Sequence, residues 1–285
     1  MAELIDGKKI ANEIFDNLRS EVRKLKGKNV TPLLKVILVG SDPASLSYIK
    51  IKKKRAEQVG IKLEVNEYPD SANAADLKRE IEVFGQSSAV HGIIVQLPLP
   101  PGVDRETVLG AIPPELDVDC LTEMNRQKLT SGTEPFFYPP AAAAILHILD
   151  LYHLGLEKMH ILLVGSGELV GKPLAIMLSR RKVHASLANR QTRNLRELSL
   201  RSDVLISGVG KAKLITGDMV KSGAVVIDAG TTGSESGDVQ GDVDVATVGV
   251  KARLLAPVPG GVGPVTVAML LQNVVRSASR GFDSK

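Results

Sequence analysis

Apolar positions recur along the chain with two different periods, and the alternation between them sets the order of elements. Ile10, Ile14, Leu18, Val22 and Leu25 fall three or four apart, the stripe of an amphipathic helix that needs a sheet to pack against. Leu33–Val39 (LLKVILV) is a nearly continuous apolar run closed by Gly40, as expected of a strand buried on both faces of a parallel sheet. A loop at residues 41–44 leads into a helix predicted over Ser45–Val59, with Gly60 placed to end it in the left-handed conformation. A strand over Ile61–Tyr68, a helix over Ala74–Phe84 and a strand over Gly92–Gln96 complete two further strand–helix units. Pro98, Pro100 and Pro101 close the last of these strands.

The pattern then restarts. An apolar helix is predicted from Ala141 to Leu151, followed by a strand over His160–Val164 that enters a glycine-rich turn and a helix over Pro173–Ser179. Strands near Val183–Ala188, Val204–Ser207 and Ala224–Ala229 alternate with polar helices, which is the order of a Rossmann-type layer. A final helix over Thr266–Ser277 follows a proline–glycine loop. The expected architecture is α/β with two domains: an N-terminal parallel α/β domain over residues 1–140 and a Rossmann-type dinucleotide-binding domain over residues 141–264. Residues 265–285 are expected to return as a helix to the first domain.

Composition narrows the classes. Two domains suit 285 residues at about 100–200 residues each, a single large barrel being the alternative. With 44% hydrophobic and 24% charged residues the chain can bury a substantial core. Aromatics make up 3% and tryptophan is absent, so the stacking platforms that hold single-stranded nucleic acid are missing, and no nucleic-acid partner is expected. The net charge of +4 is modest, and the one basic cluster is Lys50–Arg55. The lone Cys120 can form no intrachain disulfide, the N-terminus lacks the pattern of a secretory signal, and no apolar run reaches the roughly 18–20 residues of a membrane span. A cytoplasmic protein without a membrane partner is expected. No His/Cys/Asp cluster has metal-ligand spacing, so no metal site is expected.

Gly165-Ser166-Gly167-Glu168-Leu169-Val170-Gly171 puts three glycines between a predicted strand and helix, where backbone amides can face a pyrophosphate. The spacing is GxGxxxG, and glycines that only tighten a turn would read the same way. At the end of the next strand a carboxylate usually accepts the ribose hydroxyls. Here the chain reads Asn189-Arg190-Gln191-Thr192-Arg193, without a carboxylate, which favours the 2′-phosphate of NADP over NAD, with Arg190 the better-placed arginine. Tyr48 and Lys52 lie four apart on one helix face, Gln96 at the carboxyl end of a parallel strand, and Asp117 and Asp119 two apart in a loop. Each alone is compatible with an ordinary surface or strand-end role.

Taken together, Tyr48…Lys52, VQLPLP at Val95–Pro100, DVD at Asp117–Asp119, the glycine turn and PVPGGVGP at Pro257–Pro264 resemble the bifunctional methylenetetrahydrofolate dehydrogenase/cyclohydrolase family, in that family's order and over nearly the whole chain. The resemblance implies a folate cleft between the two domains, a homodimer, and a tetrahydrofolate-type substrate with NADP as cofactor. It implies that Tyr48 stacks on the aminobenzoate ring, Lys52 transfers protons, Gln96 tunes Lys52, Asp119 holds the pterin, and Pro259, Gly260 and Gly261 meet the substrate. Gly165, Ser166, Gly167, Val170, Gly171 and Arg190 would hold the cofactor. Four strings depart from the family: GRSxxVG is GSGELVG here, with Ser166 in place of an arginine that Arg190 would replace in function; PCTPxG is Phe137–Ala142 (FYPPAA); KDVDGF is Leu116–Leu121 (LDVDCL); and TPVPGG is Ala256–Gly261 (APVPGG). Both activities are expected. The alternatives are a cyclohydrolase alone, a non-catalytic nucleotide-binding relative, or a Rossmann dehydrogenase of another small substrate, which would leave VQLPLP and PVPGGVGP unexplained.

Overall fold

The computed structural model describes residues 1–233 and 239–283. The first half of the chain runs β1 (Glu3–Leu4), α1 (Gly7–Gly27), β2 (Leu33–Val39), α2 (Pro43–Val59), β3 (Lys62–Tyr68), α3 (Ala74–Gln86), β4 (Gly92–Val95), α4 (Arg105–Gly110) and α5 (Glu123–Ser131). The second half runs α6 (Pro140–Leu151), β5 (Ile161–Val164), α7 (Gly171–Arg180), β6 (Ala185–Ala188), α8 (Leu195–Arg201), β7 (Val204–Ser207), β8 (Val225–Asp228), β9 (Thr232–Gly233), β10 (Val239–Gln240), α9 (Val245–Lys251), β11 (Leu254–Ala256) and α10 (Val262–Asp283). No helix among the described residues is long and apolar enough to cross a membrane.

The chain forms two compact units, one built from Asn12–Tyr138 with the chain from Val267 on, the other from Met1–Ala11 and Pro139–Thr266. In the first unit three parallel strands lie in the order β3-β2-β4. The apolar run of β2 is central: all seven residues pair with β3, from Leu33↔Lys62 to Val39↔Tyr68, and Leu34–Ile37 pair with Gly92–Val95. Ile37 and Val39 of β2 and Ile93 and Val95 of β4 join Leu77, Ile81 and Phe84 of α3 in one buried cluster. Helix α2 starts two residues before the expected Ser45, because Asp42 caps it by accepting the Ser45 amide at 2.8 Å and Pro43 supplies a pre-set first turn. Gly60 ends it at φ 86°.

Beyond β4 the chain comes back alongside the sheet. The Ile93 amide donates to the Leu116 carbonyl at 2.8 Å, and Ile93 bridges to Asp117 in parallel. The Asp117 carboxylate is buried and accepts from the amides of Leu121 (3.1 Å) and Thr122 (2.9 Å) and from Asn125 Nδ2 (2.9 Å). It therefore shapes the entry to α5. Asn273 of α10 donates to the carbonyls of Val118 (2.9 Å) and Tyr138 (3.0 Å), tying that helix to the same segment.

The second unit is a six-stranded parallel sheet in the order β1-β11-β8-β7-β5-β6. The chain leaves β5 for β6 on one side and re-enters as β7 on the other, so the order reverses between β5 and β7; such a switch point opens a crevice at the carboxyl ends of doubly wound sheets. The expectation of residues 1–140 as one domain is corrected at its start. Met1–Ala11 belong with this second unit, since β1 pairs in parallel with β11 (Glu3↔Leu254, Leu4↔Leu255) and the Gly7 amide donates to Gly260 O at 2.9 Å. A two-residue strand has too little length for its apolar period to be read. For the same reason the short elements α4, α5, α9 and β11 have no counterpart among the elements that periodicity predicts.

Asp117→Ala would leave two backbone amides and the Asn125 amide without their buried acceptor. A loss of about 2–4 kcal/mol in unfolding free energy is expected, measured by urea denaturation.

Candidate active site

In the first unit the chemistry gathers where α2 meets the end of β4. Lys52 is half-buried, and its Nζ donates to Gln96 Oε1 at 3.1 Å. Gln96 directly follows β4. Its own amide continues the ladder by donating to Ile37 O at 2.8 Å, and its Nε2 donates to Leu97 O at 2.9 Å, which turns Oε1 toward the lysine. The side chain is thus held at both ends, by strand pairing at the backbone and by the Leu97 carbonyl at the amide.

Burial pushes the Lys52 ammonium below its ordinary value, while the Asp119 carboxylate pulls the other way. Asp119 is raised, again first by burial, with Asp117 adding repulsion and Lys52 opposing the rise. Both groups lose hydration, so both neutral forms lie nearer to hand than in water. A lysine in that state can take a proton and return it. Tyr48, also half-buried, sits one helical turn before Lys52 on α2 and so shares its face.

The paired aspartates of the DVD string separate in role. Asp117 has its acceptor capacity taken up by the α5 entry, and Asp119 is the carboxylate coupled to Lys52. Cys120, next in line, takes φ 59°, a left-handed conformation natural to the glycine that the family string carries there. Its buried thiol is pushed well above its usual range by burial and by the charges of Asp117 and Asp119, which makes it a poor nucleophile.

The second unit carries the glycine turn at its switch point. Gly165 adopts φ 107°, and a Cβ there would lie 2.7 Å from Gly208 O on the turn leaving β7. A Cβ at Gly171 would overlap the Gly165 carbonyl, whereas one at Gly167 would meet nothing within 4 Å. Two of the three glycines are thus demanded by close backbone packing, and Gly167 leaves open space. Ser166 and Val170 are part-buried in the same turn, and Val170, which precedes α7, gives the helix no side-chain cap. In the first turn of α7 the Lys172 amide donates to Gly167 O at 3.0 Å and Pro173 has no amide hydrogen, so it is the backbone of the glycine turn, running into the helix N-terminus, that forms a cradle fitting a dinucleotide pyrophosphate.

After β6 the Asn189 side chain accepts the Gln191 amide at 2.9 Å, and the Asn189 amide donates to Thr192 Oγ1 at 3.0 Å. This turn holds Arg190 at its corner, exposed, with no carboxylate in the loop. In the Pro257–Gly261 loop the Val258–Pro259 peptide is cis, Gly260 adopts φ 102°, and the Gly261 amide donates to Pro257 O at 2.8 Å. Tyr48, Lys52, Gln96 and Asp119 therefore belong to one unit, and Gly165–Gly171, Arg190 and Pro259–Gly261 to the other. Two buried carboxylates of the second unit, Asp228 and Asp242, are not singled out by sequence reasoning. The only signal for them is an aspartate closing each of the strings VVID and GD. Burial pushes Asp228 up to about 6, against the pull of the amides of Val243, Asp242 and Gly230, with the charge of Asp242 adding to the rise.

A doubly wound parallel sheet with an uncapped glycine turn at its switch point, joined in one chain to a second α/β unit bearing a desolvated lysine, defines a dinucleotide-dependent two-domain enzyme class. Two family models match it: the catalytic domain of tetrahydrofolate dehydrogenase/cyclohydrolase over residues 5–119, and the NAD(P)-binding domain of the same family over residues 139–282. The chain belongs to the tetrahydrofolate dehydrogenase/cyclohydrolase family. It is 41% identical over 275 residues to the bifunctional protein FolD of Nautilia profundicola, covering 96% of each chain. Among solved structures, the bifunctional FolD enzyme of Campylobacter jejuni superposes with a TM-score of 0.94 at 36% identity, covering 98% of this chain and 99% of that one. The Trypanosoma brucei methylenetetrahydrofolate dehydrogenase-cyclohydrolase, complexed with NADP and an inhibitor, gives 0.94 at 32% identity, covering 99% and 98%.

Gly171→Ala is expected to lower unfolding free energy by about 1–3 kcal/mol because backbone must move to admit the methyl group, whereas Gly167→Ala should be close to neutral. Thermal unfolding of the two variants side by side checks the contrast.

Proposed function

We propose that this chain oxidises 5,10-methylenetetrahydrofolate to 5,10-methenyltetrahydrofolate with NADP and hydrolyses that product to 10-formyltetrahydrofolate. The observation that carries the reading is the Lys52–Gln96 hydrogen bond in a desolvated corner with Asp119, inside the segment matched by the family's catalytic domain. For the hydrolysis, neutral Lys52 takes a proton from the water that adds to the methenyl carbon and returns it to N5 as the carbon–N5 bond breaks, and the hydroxyl left on the carbon releases its proton to solvent as it becomes the carbonyl of the formyl group on N10. Gln96 keeps Nζ in place while its neutral amide leaves the lysine free to lose its charge. A carboxylate there would stabilise the ammonium. Asp119 supplies the polar contact for the pterin, Tyr48 the ring face for the aminobenzoate group, and Pro259, Gly260 and Gly261 backbone contacts to the substrate.

NADP, when bound, supplies the hydride acceptor for the oxidation. Gly165, Ser166, Gly167, Val170 and Gly171 would hold its pyrophosphate, and Arg190, at the corner after β6 where no carboxylate competes, its 2′-phosphate. The chain's own part in the oxidation is alignment, because the methenyl cation is stabilised by resonance without a protein acid or base. The NADP complex of the Trypanosoma brucei enzyme supports this choice of cofactor.

The working enzyme is a homodimer in the cytoplasm. What supports the dimer is β3, an outer strand of its sheet, beside a cavity of about 590 Å³ lined by Leu46, Ile49, Lys53 and Val65, with Asn66 Oδ1 buried there and unpaired. Light scattering in solution is expected to return twice the mass of one chain, and the mass of one chain would remove the dimer.

Two absorbance assays on the purified chain test the activity, one following NADPH formation from methylenetetrahydrofolate, the other hydrolysis of methenyltetrahydrofolate. Both should proceed in the parent, and Lys52→Met should lower hydrolysis about 10²- to 10⁴-fold. Hydrolysis without NADPH formation would select the single-activity alternative. Because the reaction needs neutral Lys52, its rate should fall as pH drops through the lysine's pKa. Gln96→Glu should raise that pKa and carry the rising limb of the pH–rate profile to higher pH. At a fixed pH below the limb, the rate should then drop about tenfold for every pH unit the limb has moved. An unmoved limb would detach Gln96 from the lysine's ionisation.

A further inference from the structure

We infer that Asp242, with Asp228 beneath it, is the positioning residue for the dinucleotide cradle, an inference that rests on the cofactor reading above. Both carboxylates are fully buried at the carboxyl ends of β7 and β8. Asp242 Oδ2 accepts from Ser207 Oγ and from the Val209 amide, both at 2.7 Å, and Oδ1 accepts the Lys211 amide at 2.8 Å. Three donors on five consecutive residues therefore converge on one carboxylate, which fixes the turn leaving β7. Asp228 holds Asp242 in turn: its Oδ1 accepts the amides of Gly230 (3.0 Å) and Asp242 (3.1 Å), and its Oδ2 accepts the Val243 amide (2.9 Å).

The turn so fixed is the wall against which the glycine turn packs. Gly208, between Ser207 and Val209, has its carbonyl where a Cβ on Gly165 would come to 2.7 Å, and a Cβ on Gly208 would lie 3.0 Å from Val170 Cγ1. The carboxylates reach two further loops by close approach. A Cβ on Gly230 would overlap the Asp242 carboxylate, and one on Gly241 would overlap Asp228 and lie 2.7 Å from Val258 Cβ, in the loop that carries Pro259. Two buried carboxylates in contact through one chain segment are costly to desolvate, and a sheet needing only stability would be served as well by apolar residues of similar size. What apolar residues cannot do is accept six hydrogen bonds from loop donors and hold the carboxyl ends of β5, β7 and β8 in register.

Asp242→Asn tests the assignment at nearly constant volume, because an amide can present only one oxygen and must turn its NH₂ against either the Val209 or the Lys211 amide. Binding of NADPH is read by the change in its fluorescence, undisturbed by tryptophan since the chain has none. Hydrolysis of methenyltetrahydrofolate is measured without dinucleotide. The expected result is NADPH binding weakened at least about tenfold with hydrolysis at half the parent rate or better. Ser207→Ala, which removes one donor and leaves both amides held, should weaken binding about two- to fivefold, and it serves as the test if Asp242→Asn fails to fold. Unchanged NADPH binding in a folded Asp242→Asn chain, or in Ser207→Ala where only that chain folds, would overturn the inference while leaving the cofactor reading intact. Hydrolysis falling in parallel with binding would also overturn it, by showing general loosening in place of positioning. A parent chain that binds no NADPH would overturn the cofactor reading and the inference with it.

Discussion

Parallel strands covered on both faces leave open only their ends, and that constraint places nearly everything polar in this chain. Because the strands of the six-stranded sheet, and those of the three-stranded sheet, point the same way, the loops that leave them collect along one edge of each. Gln96 follows β4, Gly165 follows β5, Gly208 follows β7, Asp228 closes β8 and Pro257 follows β11. The sheet interiors between these points are mostly Val, Ile and Leu, whose side chains carry no donor or acceptor. Chemistry is confined to the edge because no other surface of such a layer combines a fixed backbone with side chains free to face a ligand.

At that edge the dominant energy is desolvation. It lowers the lysine and raises the aspartate of the first unit, and it raises Asp228 of the second. Burial opposes charge in every case, but its consequence depends on what each group can find nearby. Lys52 meets a neutral amide, which anchors the nitrogen without demanding the ammonium, and so its proton can leave. Asp242 and Asp228 meet arrays of backbone donors, which hold geometry in place of protons. The same cost yields a proton carrier in one unit and a scaffold in the other.

The chain's departures from its family strings take on physical meaning in these terms. Ser166 leaves the glycine turn without a cation, and the exposed Arg190 offers one from the neighbouring loop. Cys120 takes over a left-handed backbone position from glycine, which costs roughly 1 kcal/mol in conformational strain and sets a buried, unreactive thiol beside Asp119. The FYPPAA segment carries Pro140 at the start of α6, a helix whose first turn has no side-chain cap.

Long elements with a strong period were legible from the residues alone: β2 runs over Leu33–Val39 as its apolar run indicates, and α2, α3 and α7 fall within two residues of their expected bounds. The placement of Lys52 on a helix, of Gln96 at a strand end and of the glycine turn between strand and helix was legible too, because these are local properties. Pairing between distant segments was not legible. A two-residue β1 joins the far unit only through its register with β11, Asp117 and Asp119 differ only in which donors surround them, and Asp242 matters only because β7 and β8 lie side by side. Sequence determined what each segment could become, since propensity and period act within a few residues. Tertiary structure alone decided which carboxylate is a scaffold and which faces the lysine, since burial and hydrogen-bond partners are supplied by segments tens of residues away.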